Sequence, residues 1–288
     1  MADSYGGEAH SPFFIIFTDL DGTLLDNVSY SWKKAESAVE ECRRHSIPIV
    51  LVTSKTRAEL MVLREALCIF DPFVTENGGG VFFPKKRFNR PSEGADSVDG
   101  LWRWSLGVPY SRLVKAFEDM AQELGWKMKG FSQMTPQEIS RLTGLSIDEA
   151  IRAAQREYDE PFLILDKGNA PELDLFEAAK RRNLHITKGG RFYHLHGRSD
   201  KGRATKWLIE LYRKIGHNVF SIGVGDSEND LPMLEVVDLA IFVGNPQTLN
   251  DAKGRVQDIL VPREKGPKGW NQAILNFLKT REEYVDVK

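Results

Sequence analysis

Apolar runs that stop at polar side chains mark the first part of the chain and predict buried β-strands. Residues 13–17 are all apolar and are followed closely by Asp19 and Asp21, and the largely aliphatic residues 47–52 are followed by Thr53. Continuous apolar runs of this length are typical of strands covered on both faces of a parallel sheet. The two runs therefore predict inner strands whose carboxyl ends carry polar groups.

Helical patterns alternate with these strands. Residues 31–45 and 56–69 carry apolar positions at helical spacing, and a third strand begins at residue 73. After residue 200 the alternation returns, with a helix from about 201, strands at 218–224 and 239–243, and a helix near 268–279. Strands that alternate with helices favour parallel pairing through right-handed crossovers. The pattern predicts an α/β fold with a doubly wound, Rossmann-like parallel sheet.

The middle of the chain breaks this rhythm and predicts an inserted α+β unit. Residues 84–100 are rich in Pro, Gly, Lys, Arg and Ser and are typical of a linker or exposed loop. The elements expected beyond it are strands at 101–106, 162–165, 184–187 and 191–196, and helices at 109–124 and 172–182. The expected organisation is a flexible tail at 1–12, a core domain at 13–89 and 198–288, and an inserted cap domain at 90–197.

Composition narrows the class of protein. The chain has 288 residues, 41% hydrophobic, and a net charge of −2, which gives no reason to expect a nucleic acid or an anionic membrane as a partner. No window approaches the roughly 18 apolar residues of a membrane span, and the first dozen residues lack the pattern of a secretory signal, so we expect a cytoplasmic protein. Cys42 and Cys68 lie among apolar neighbours in helical patterns and are expected to be buried thiols.

Polar groups follow four of the predicted core elements. Asp19 and Asp21 follow the first strand, Thr53 follows the second, Lys201 begins a helix, and Asp226 follows the strand at 218–224. Each group alone also fits a turn, a helix cap or a solvated side chain. Because ligands of open α/β folds bind at the carboxyl edge of the sheet, the coincidence of the four groups favours one site.

The chemistry that suits this set is phosphoryl transfer. A phosphate ester must have its negative oxygens neutralised before an anionic nucleophile approaches, and a hydroxyl, an ammonium and a cation held by carboxylates would do this. Mg²⁺ is the expected ion because it prefers oxygen ligands. A zinc site is not expected, since His194 and His196 alternate as in a strand and no third ligand lies nearby. One aspartate would attack phosphorus and another would act as general acid and base.

These motifs resemble the haloacid dehalogenase superfamily of aspartate-nucleophile phosphatases. The resemblance implies that Asp19 is the nucleophile and that Asp21 is the general acid/base and binds Mg²⁺ through its carbonyl. It also implies that Asp226 is the third Mg²⁺ ligand. The residues implied to support the metal or to contact the phosphate are Asn229, Asp230, Gly22, Thr53, Ser54, Lys55 and Lys201. Related sugar phosphatases often have Thr-Gly-Arg where this chain has Thr-Ser-Lys, so the main phosphate contact is left open between Thr53 and Ser54.

Phrases in and near the insertion resemble the mannosyl-3-phosphoglycerate phosphatases within that superfamily. They are Thr53–Glu59, Glu76–Gly79, Leu142–Leu145, Arg156–Pro161 and Gly189–Leu195. The resemblance implies hydrolysis of mannosyl-3-phosphoglycerate, a phosphorylated glycoside, to mannosylglycerate, a compatible solute.

The insertion also carries groups that would suit such a substrate. A glycerate carboxylate calls for cations and for backbone amides that can approach an anion, and a sugar calls for polar side chains. The candidates are Arg156, Lys188 and Arg191 for the carboxylate, Gly189 and Gly190 for backbone contacts, and Glu157, Asp159 and His194 for hydroxyls. Ordinary solvated side chains are the alternative interpretation for each of them.

Three other functions remain open from the sequence. The same chemistry would serve glucosyl-3-phosphoglycerate or a simple hexose phosphate, with the choice made in the cap. A phosphomutase would use the same nucleophile but transfer the phosphoryl group between hydroxyls. A non-catalytic binding module is the least favoured, because Asp19, Asp21, Thr53, Lys201 and Asp226 are all present.

Overall fold

A computed structural model describes residues 12–88, 94–189 and 191–281. Of the predicted tail at 1–12 only residue 12 is among them, and Gly190 lies outside the described residues. The strands in these ranges are β1 (Phe13–Thr18), β2 (Ile49–Val52), β3 (Phe73–Thr75), β4 (Gly80–Pro84), β5 (Asp96–Val98), β6 (Leu101–Ser105), β7 (Lys127–Gly130), β8 (Asp159–Asp166), β9 (His185–Gly189), β10 (Phe192–His196), β11 (Val219–Gly225) and β12 (Leu239–Phe242). The helices are α1 (Glu36–Arg44), α2 (Arg57–Leu67), α3 (Tyr110–Leu124), α4 (Pro136–Thr143), α5 (Ile147–Ala153), α6 (Leu173–Arg181), α7 (Lys201–Lys214), α8 (Leu231–Leu234), α9 (Pro246–Arg255) and α10 (Gly266–Thr280).

The larger sheet has eight strands in the order β12-β11-β1-β2-β3-β4-β6-β5. The pairs β1–β11, β11–β12 and β2–β3 are parallel, whereas β3–β4, β4–β6 and β5–β6 are antiparallel. Strand β1 is buried from Ile15 to Thr18, as a strand covered on both faces must be. The α/β fold class is confirmed, and the antiparallel extension beyond β3 was not predicted.

The second sheet has four strands in the order β7-β8-β10-β9 and is antiparallel throughout. Leu113, Phe117 and Met120 of α3 and Leu175 of α6 form one core with Phe162 of β8, and all five are fully or almost fully buried. The helix expected at 109–124 is therefore present as α3, and one face of it builds this core. A separate α+β unit is present as the sequence indicated.

Two compact units divide the described chain, residues 12–50 with 205–281 and residues 51–204. Strands β5 and β6 belong to the eight-stranded sheet although they fall inside the predicted insertion at 90–197. The domain boundaries given above therefore stay a prediction.

Two local expectations differ from the structure. The predicted linker at 84–100 contains strand β5, because Asp96–Val98 pairs with Leu101–Arg103 of β6 in a tight hairpin. The hairpin turns at Asp99 and Gly100, both with positive φ. Helix α1 begins at Glu36 and not near residue 31. Apolar periodicity does not register a short polar hairpin, which explains the first difference.

The expectation of two buried thiols is correct for Cys42 and wrong for Cys68. Cys68 follows the last residue of α2 with a left-handed φ of 51°, and its backbone amide caps the helix by donating to the carbonyl of Glu65. The helix ends at this point, so the side chain leaves the buried stripe and faces solvent.

Among the helices in the described ranges, none combines the length and the apolar character needed to cross a membrane.

The carboxyl end of β1 is fixed by a buried hydrogen bond from α10. Trp270 is fully buried, and its indole Nε1–H donates to Oγ1 of Thr18 over 3.0 Å. The same hydroxyl donates to the carbonyl of Asp19 over 2.8 Å. The tryptophan thus holds the last residue of the strand immediately before the first aspartate.

We predict that Thr18→Val lowers the free energy of unfolding by about 1–3 kcal/mol, because it leaves the buried indole N–H without an acceptor. Chemical denaturation checks this in a double-mutant cycle with Trp270→Phe, where the donor is already gone and the same change should cost clearly less. An equal cost in both backgrounds would show that the hydrogen bond contributes nothing.

Candidate active site

Three carboxylates gather within the unit formed by residues 12–50 and 205–281. Asp19, Asp226 and Asp230 each place one oxygen so that the three atoms lie within 4.8 Å of one another. Asp19 and Asp230 are buried, and Asp226 is partly exposed. Negative charges this close repel, and a hard divalent cation between them removes the repulsion. The donor set is all oxygen, which fits Mg²⁺.

Strand pairing brings the first two carboxylates together. Parallel strands β1 and β11 run in register from Phe13 opposite Val219 to Thr18 opposite Val224. The ladder then extends by one more bond, in which the amide of Asp19 donates to the carbonyl of Val224 over 3.0 Å. Residues about two hundred positions apart therefore meet at one sheet edge, as the sequence pattern predicted.

Asp230 organises the loop that carries Asp226. One oxygen of its carboxylate, Oδ2, accepts hydrogen bonds from the amides of Asp226 at 2.9 Å and Ser227 at 3.0 Å, and from the Ser227 hydroxyl at 3.1 Å. The Ser227 hydroxyl also lies 2.6 Å from Oδ1 of Asn229. Asp230 is thus both a member of the acidic cluster and a brace for the loop, and the loop cannot move without breaking these bonds.

Gly22 is required by its backbone and by its neighbours. Its φ is +79°, and a Cβ built there would lie 2.5 Å from Oδ2 of Asp226. The next residue, Thr23, is fully buried and donates its hydroxyl to Oδ1 of Asp226 over 3.0 Å. The turn after β1 therefore contacts both carboxylate oxygens of Asp226, one through close packing and one through a hydrogen bond.

The other unit, residues 51–204, carries the predicted hydroxyl motif. Thr53 is fully buried, its amide donates to Val74 in β3, and its hydroxyl accepts the amide of Lys55 over 3.2 Å. That bond leaves the hydroxyl proton of Thr53 for another acceptor. The carbonyl of Ser54 accepts a hydrogen bond from Nη1 of Arg156 over 3.1 Å.

Lys201 begins α7, as predicted, and is 1% exposed. The residue before it, Asp200, packs against the tight turn at Glu76–Gly79, because a Cβ built on Gly78 would overlap the carbonyl of Asp200. Glu76, Asn77 and Gly78 all have positive φ, at 47°, 52° and 96°. Such a strained turn is maintained only when its surroundings hold it, and here it supports the start of the lysine helix.

Arg156, Asp159 and His194 form a chain of polar contacts around the buried Asp159 in the same unit. Arg156 donates to the carbonyls of Ser54 and Ala153 and lies 3.4 Å from Oδ2 of Asp159. The same Oδ2 lies 2.8 Å from Nδ1 of His194. Arg156 was predicted to bind a substrate carboxylate, but in the structure its guanidinium contacts groups of the protein.

Two buried carboxyl groups near Arg156 differ in their pKa. Burial raises the pKa of Glu76 to about 8, and the nearby charge of Asp159 contributes in the same direction. For Asp159 burial acts upwards too, but His194 and Arg156 outweigh it and lower the pKa of this carboxyl. Near neutral pH, Glu76 therefore keeps a proton, and Asp159 carries the negative charge that balances Arg156.

Glu76 uses its carboxyl group to hold the chain ahead of β8. Its oxygens accept hydrogen bonds from the amides of Glu157, at 2.9 and 3.2 Å, and Tyr158, at 2.8 Å. Gly79 packs under Tyr158, since a Cβ built on it would collide with the tyrosine side chain. The Glu-Asn-Gly-Gly segment seen in the sequence thus joins the turn to residues 157–158 through hydrogen bonds and close packing.

The remaining predicted cap residues lie on and beside the β9–β10 hairpin. Lys188 is 3.7 Å from Glu172 and lies over the Tyr193 ring, and Arg191 donates to the carbonyl of Leu142. Gly189 adjoins His194, because a Cβ built on it would lie 3.4 Å from Nε2 of the imidazole. Their assignment to substrate stays a prediction.

Comparison with known proteins decides the family. Residues 16–91 and 142–252 match the haloacid dehalogenase-like hydrolase family. The chain belongs to this family. A glucosyl-3-phosphoglycerate/mannosyl-3-phosphoglycerate phosphatase of Methanococcoides burtonii is 39% identical over 266 residues, which cover 92% of this chain and 97% of the relative. A mannosyl-3-phosphoglycerate phosphatase of Pyrococcus furiosus is 39% identical over 236 residues, covering 80% and 91%.

The fold of this hydrolase is also found in solved structures. A Thermoplasma acidophilum protein superposes with a TM-score of 0.64 at 19% sequence identity, covering 93% of this chain and 99% of that one. The enzyme class follows from the relatives: this haloacid dehalogenase-like hydrolase is a phosphatase, a phosphoric monoester hydrolase of the group to which they belong.

Sequence reasoning missed the structural part of Glu76 and Thr23 in this hydrolase. Thr23 is not among the residues that the sequence singles out, and its bond to Asp226 spans 203 positions. Glu76 was noted only within a resembling phrase, and its partners lie 81 and 82 positions away. For Glu76 the local sequence offered one signal: an acidic residue directly after a predicted strand and close to three consecutive glycines.

We predict that Gly22→Ala reduces kcat for phosphate release by at least about 100-fold, because the new methyl group must displace Asp226 and also strains the backbone. Steady-state kinetics check this against Gly144→Ala, a control with a similar φ of +83° and no atom within 4 Å of the added Cβ. The control isolates backbone strain and should keep its rate within about twofold. Equal rates in the two variants would contradict the role given to Gly22.

We predict that stability falls as pH rises from about 5 to about 8, because the folded chain keeps the Glu76 proton that the unfolded chain has lost. One such proton contributes about 1.4 kcal/mol per pH unit to the slope. Glu76→Gln cannot release a proton, so the difference between wild type and variant should vary with pH over this window in urea titrations. Parallel stability curves would contradict the raised pKa.

Proposed function

We propose that this phosphatase hydrolyses mannosyl-3-phosphoglycerate to mannosylglycerate and phosphate through an aspartyl phosphate on Asp19. The observation that carries the proposal is the gathering of Asp19, Asp226 and Asp230 at the carboxyl ends of β1 and β11. The relatives in Methanococcoides burtonii and Pyrococcus furiosus support the substrate, since both act, by name, on glycosides of 3-phosphoglycerate. The product would be a compatible solute.

Asp19 is suited to nucleophilic attack. It is 6% exposed and its backbone is held by β11, so its carboxylate approaches phosphorus from a fixed position. We assign to Asp21, two residues later, the proton given to the leaving glycerate oxygen as the phosphoryl group passes to Asp19. Asp21 then takes a proton from the water that attacks the aspartyl phosphate, which releases phosphate and restores both carboxyl groups.

Mg²⁺ is the proposed cofactor, with Asp19, Asp226 and the carbonyl of Asp21 as ligands and Asn229 and Asp230 as support. When bound, the ion supplies positive charge that offsets the phosphate oxygens. The hydrogen bonds from Asp226 and Ser227 to Asp230 favour the supporting assignment, because Oδ2 of Asp230 already accepts three of them.

Thr53, Ser54, Lys55, Gly22 and Lys201 are proposed to contact the phosphate. This assignment rests on the family motifs. Among the described residues the Thr53 hydroxyl accepts a hydrogen bond and donates none, and Lys201 lies at the first turn of α7. Both are compatible with donation to an anion.

Glucosyl-3-phosphoglycerate is the second candidate substrate. The relative in Methanococcoides burtonii carries both substrates in its name and matches more of this chain than the Pyrococcus furiosus relative does. The two substrates differ only in the configuration of one sugar hydroxyl, so a pocket that tolerates both needs no change in the catalytic groups.

We predict that the wild-type protein releases phosphate from at least one of the two glycosides in the presence of Mg²⁺ and loses this activity with a chelator. Asp19→Asn should lower kcat by at least about 1000-fold, because the amide is a poor nucleophile. A substrate panel with both glycosides and glucose 6-phosphate measures the rates. Wild-type rates in Asp19→Asn would exclude the mechanism, and a preference for glucose 6-phosphate would exclude the substrate.

The intermediate has its own test. In Asp21→Asn, p-nitrophenyl phosphate still loses its good leaving group, but water is no longer activated, so the aspartyl phosphate should accumulate. Acid quenching and peptide mass spectrometry should then find one phosphoryl group on Asp19. Phosphate release without such an adduct, at an undiminished rate, would contradict the covalent route.

A further inference from the structure

The Asp159–His194 pair is built from two strands of the four-stranded sheet. In the antiparallel register of β8 and β10, His196 lies opposite Asp159 and His194 lies opposite Pro161. Asp159 and His194 are therefore diagonal neighbours on one face, at a separation that long side chains bridge. Oδ2 of Asp159 and Nδ1 of His194 are 2.8 Å apart.

Asp159 is the more deeply buried member of the pair, and one of its carboxylate oxygens is not used in the contact. Its side chain is 5% exposed, whereas that of His194 is 23% exposed. Oδ1 of Asp159 is buried and has no hydrogen-bond partner among the residues that the structure describes. A buried carboxylate oxygen without a partner costs stability, so an aspartate here is better explained by what it does to its neighbours than by the fold.

The Asp159 carboxylate determines which nitrogen of His194 carries the proton in the neutral ring. An ionised carboxylate accepts a hydrogen bond from Nδ1–H, so in the neutral ring Nε2 carries the lone pair. In the described part of the chain no hydrogen bond reaches Nε2, which lies beside Gly189 at the end of β9. An imidazole nitrogen in this state accepts a hydrogen bond from a hydroxyl group.

The same carboxylate also connects His194 to the Thr53–Lys55 turn. Oδ2 of Asp159 lies 3.4 Å from Nη1 of Arg156, and that nitrogen donates to the carbonyl of Ser54 over 3.1 Å. The Asp159 carboxylate thus holds the imidazole on one side, and Arg156 connects that carboxylate to the turn predicted to contact phosphate. All four residues belong to the unit formed by residues 51–204.

We propose that Asp159 is a positioning residue that fixes His194 so that Nε2 accepts a hydrogen bond from a hydroxyl of the glycoside. The inference rests on the proposed function and adds to it the chemical group that the cap recognises, a neutral hydroxyl donor. Arg156 links Asp159 to the carbonyl of Ser54 in this arrangement.

Two histidine variants separate the nitrogens. In His194→Asn the amide nitrogen can still donate to Asp159, but nothing occupies the place of Nε2. In His194→Gln the longer amide reaches that place with an acceptor oxygen. We expect KM for mannosyl- or glucosyl-3-phosphoglycerate to rise about tenfold in His194→Asn with a smaller change in kcat, and His194→Gln to recover most of the loss.

Asp159→Asn tests the positioning role. It should raise the same KM, and when it is combined with His194→Asn it should add little, because both changes remove one function. His185→Asn is the matched control on neighbouring β9, at an exposed histidine outside the proposed site, and should leave KM unchanged.

p-Nitrophenyl phosphate, which has no glycoside, separates recognition from general damage. In His194→Asn, kcat/KM for this ester should fall several-fold less than kcat/KM for the glycoside. An equal fall for both esters, additive effects in the double variant, or an unchanged glycoside KM would overturn the inference while leaving the phosphatase assignment intact. Wild-type activity on p-nitrophenyl phosphate without activity on either glycoside would instead refute the proposed function, and the inference with it.

Discussion

Three negative side chains held within 4.8 Å are the constraint on which the catalytic end of this protein depends. The fold itself brings the charges together, because parallel pairing of β1 with β11 places Asp19 and Asp226 at the same sheet edge despite their mutual repulsion. Backbone hydrogen bonds and buried apolar strands supply the energy that keeps them there. A cation of suitable hardness converts the repulsion into a site, and the surrounding bonds to Asp230 and Thr23 maintain its shape.

The unit formed by residues 51–204 also contains neighbouring buried acids, and their charges are accommodated by a proton and by neighbouring side chains. Glu76 and Asp159 lie near one buried arginine, and burial opposes the ionisation of both acids. Here a proton on Glu76 removes one charge, and Arg156 balances the charge of Asp159, whose carboxylate also lies 2.8 Å from Nδ1 of His194. The result is a neutral acid that fixes the backbone at residues 157–158 and an ionised one that orients a histidine. Two identical functional groups therefore have different uses, determined by their neighbours.

Much of the core could be predicted from the sequence because its strands are apolar and several of them end at polar residues suited to catalysis. The proximity of Asp19 and Asp226 follows from that pattern, since all parallel strands end at one edge. The contacts of Arg156 could not be predicted, because a buried arginine that donates to backbone carbonyls has the same local sequence as a solvated one. Cys68 was misjudged for a related reason: helical periodicity does not show where the helix ends. The left-handed φ of Glu76 and Asn77 is likewise imposed by tertiary contacts, not by residue type.

The most direct measurement of the central claim is a titration of the protein with Mn²⁺, a hard cation whose free form is counted by electron paramagnetic resonance. A shared site predicts one saturable Mn²⁺ per chain, displaced by Mg²⁺, and a large loss of affinity in Asp226→Asn with the fold unchanged by circular dichroism. Absence of saturable binding to the wild-type chain, or equal binding to the variant, would contradict the claim that Asp19 and Asp226 hold a cation.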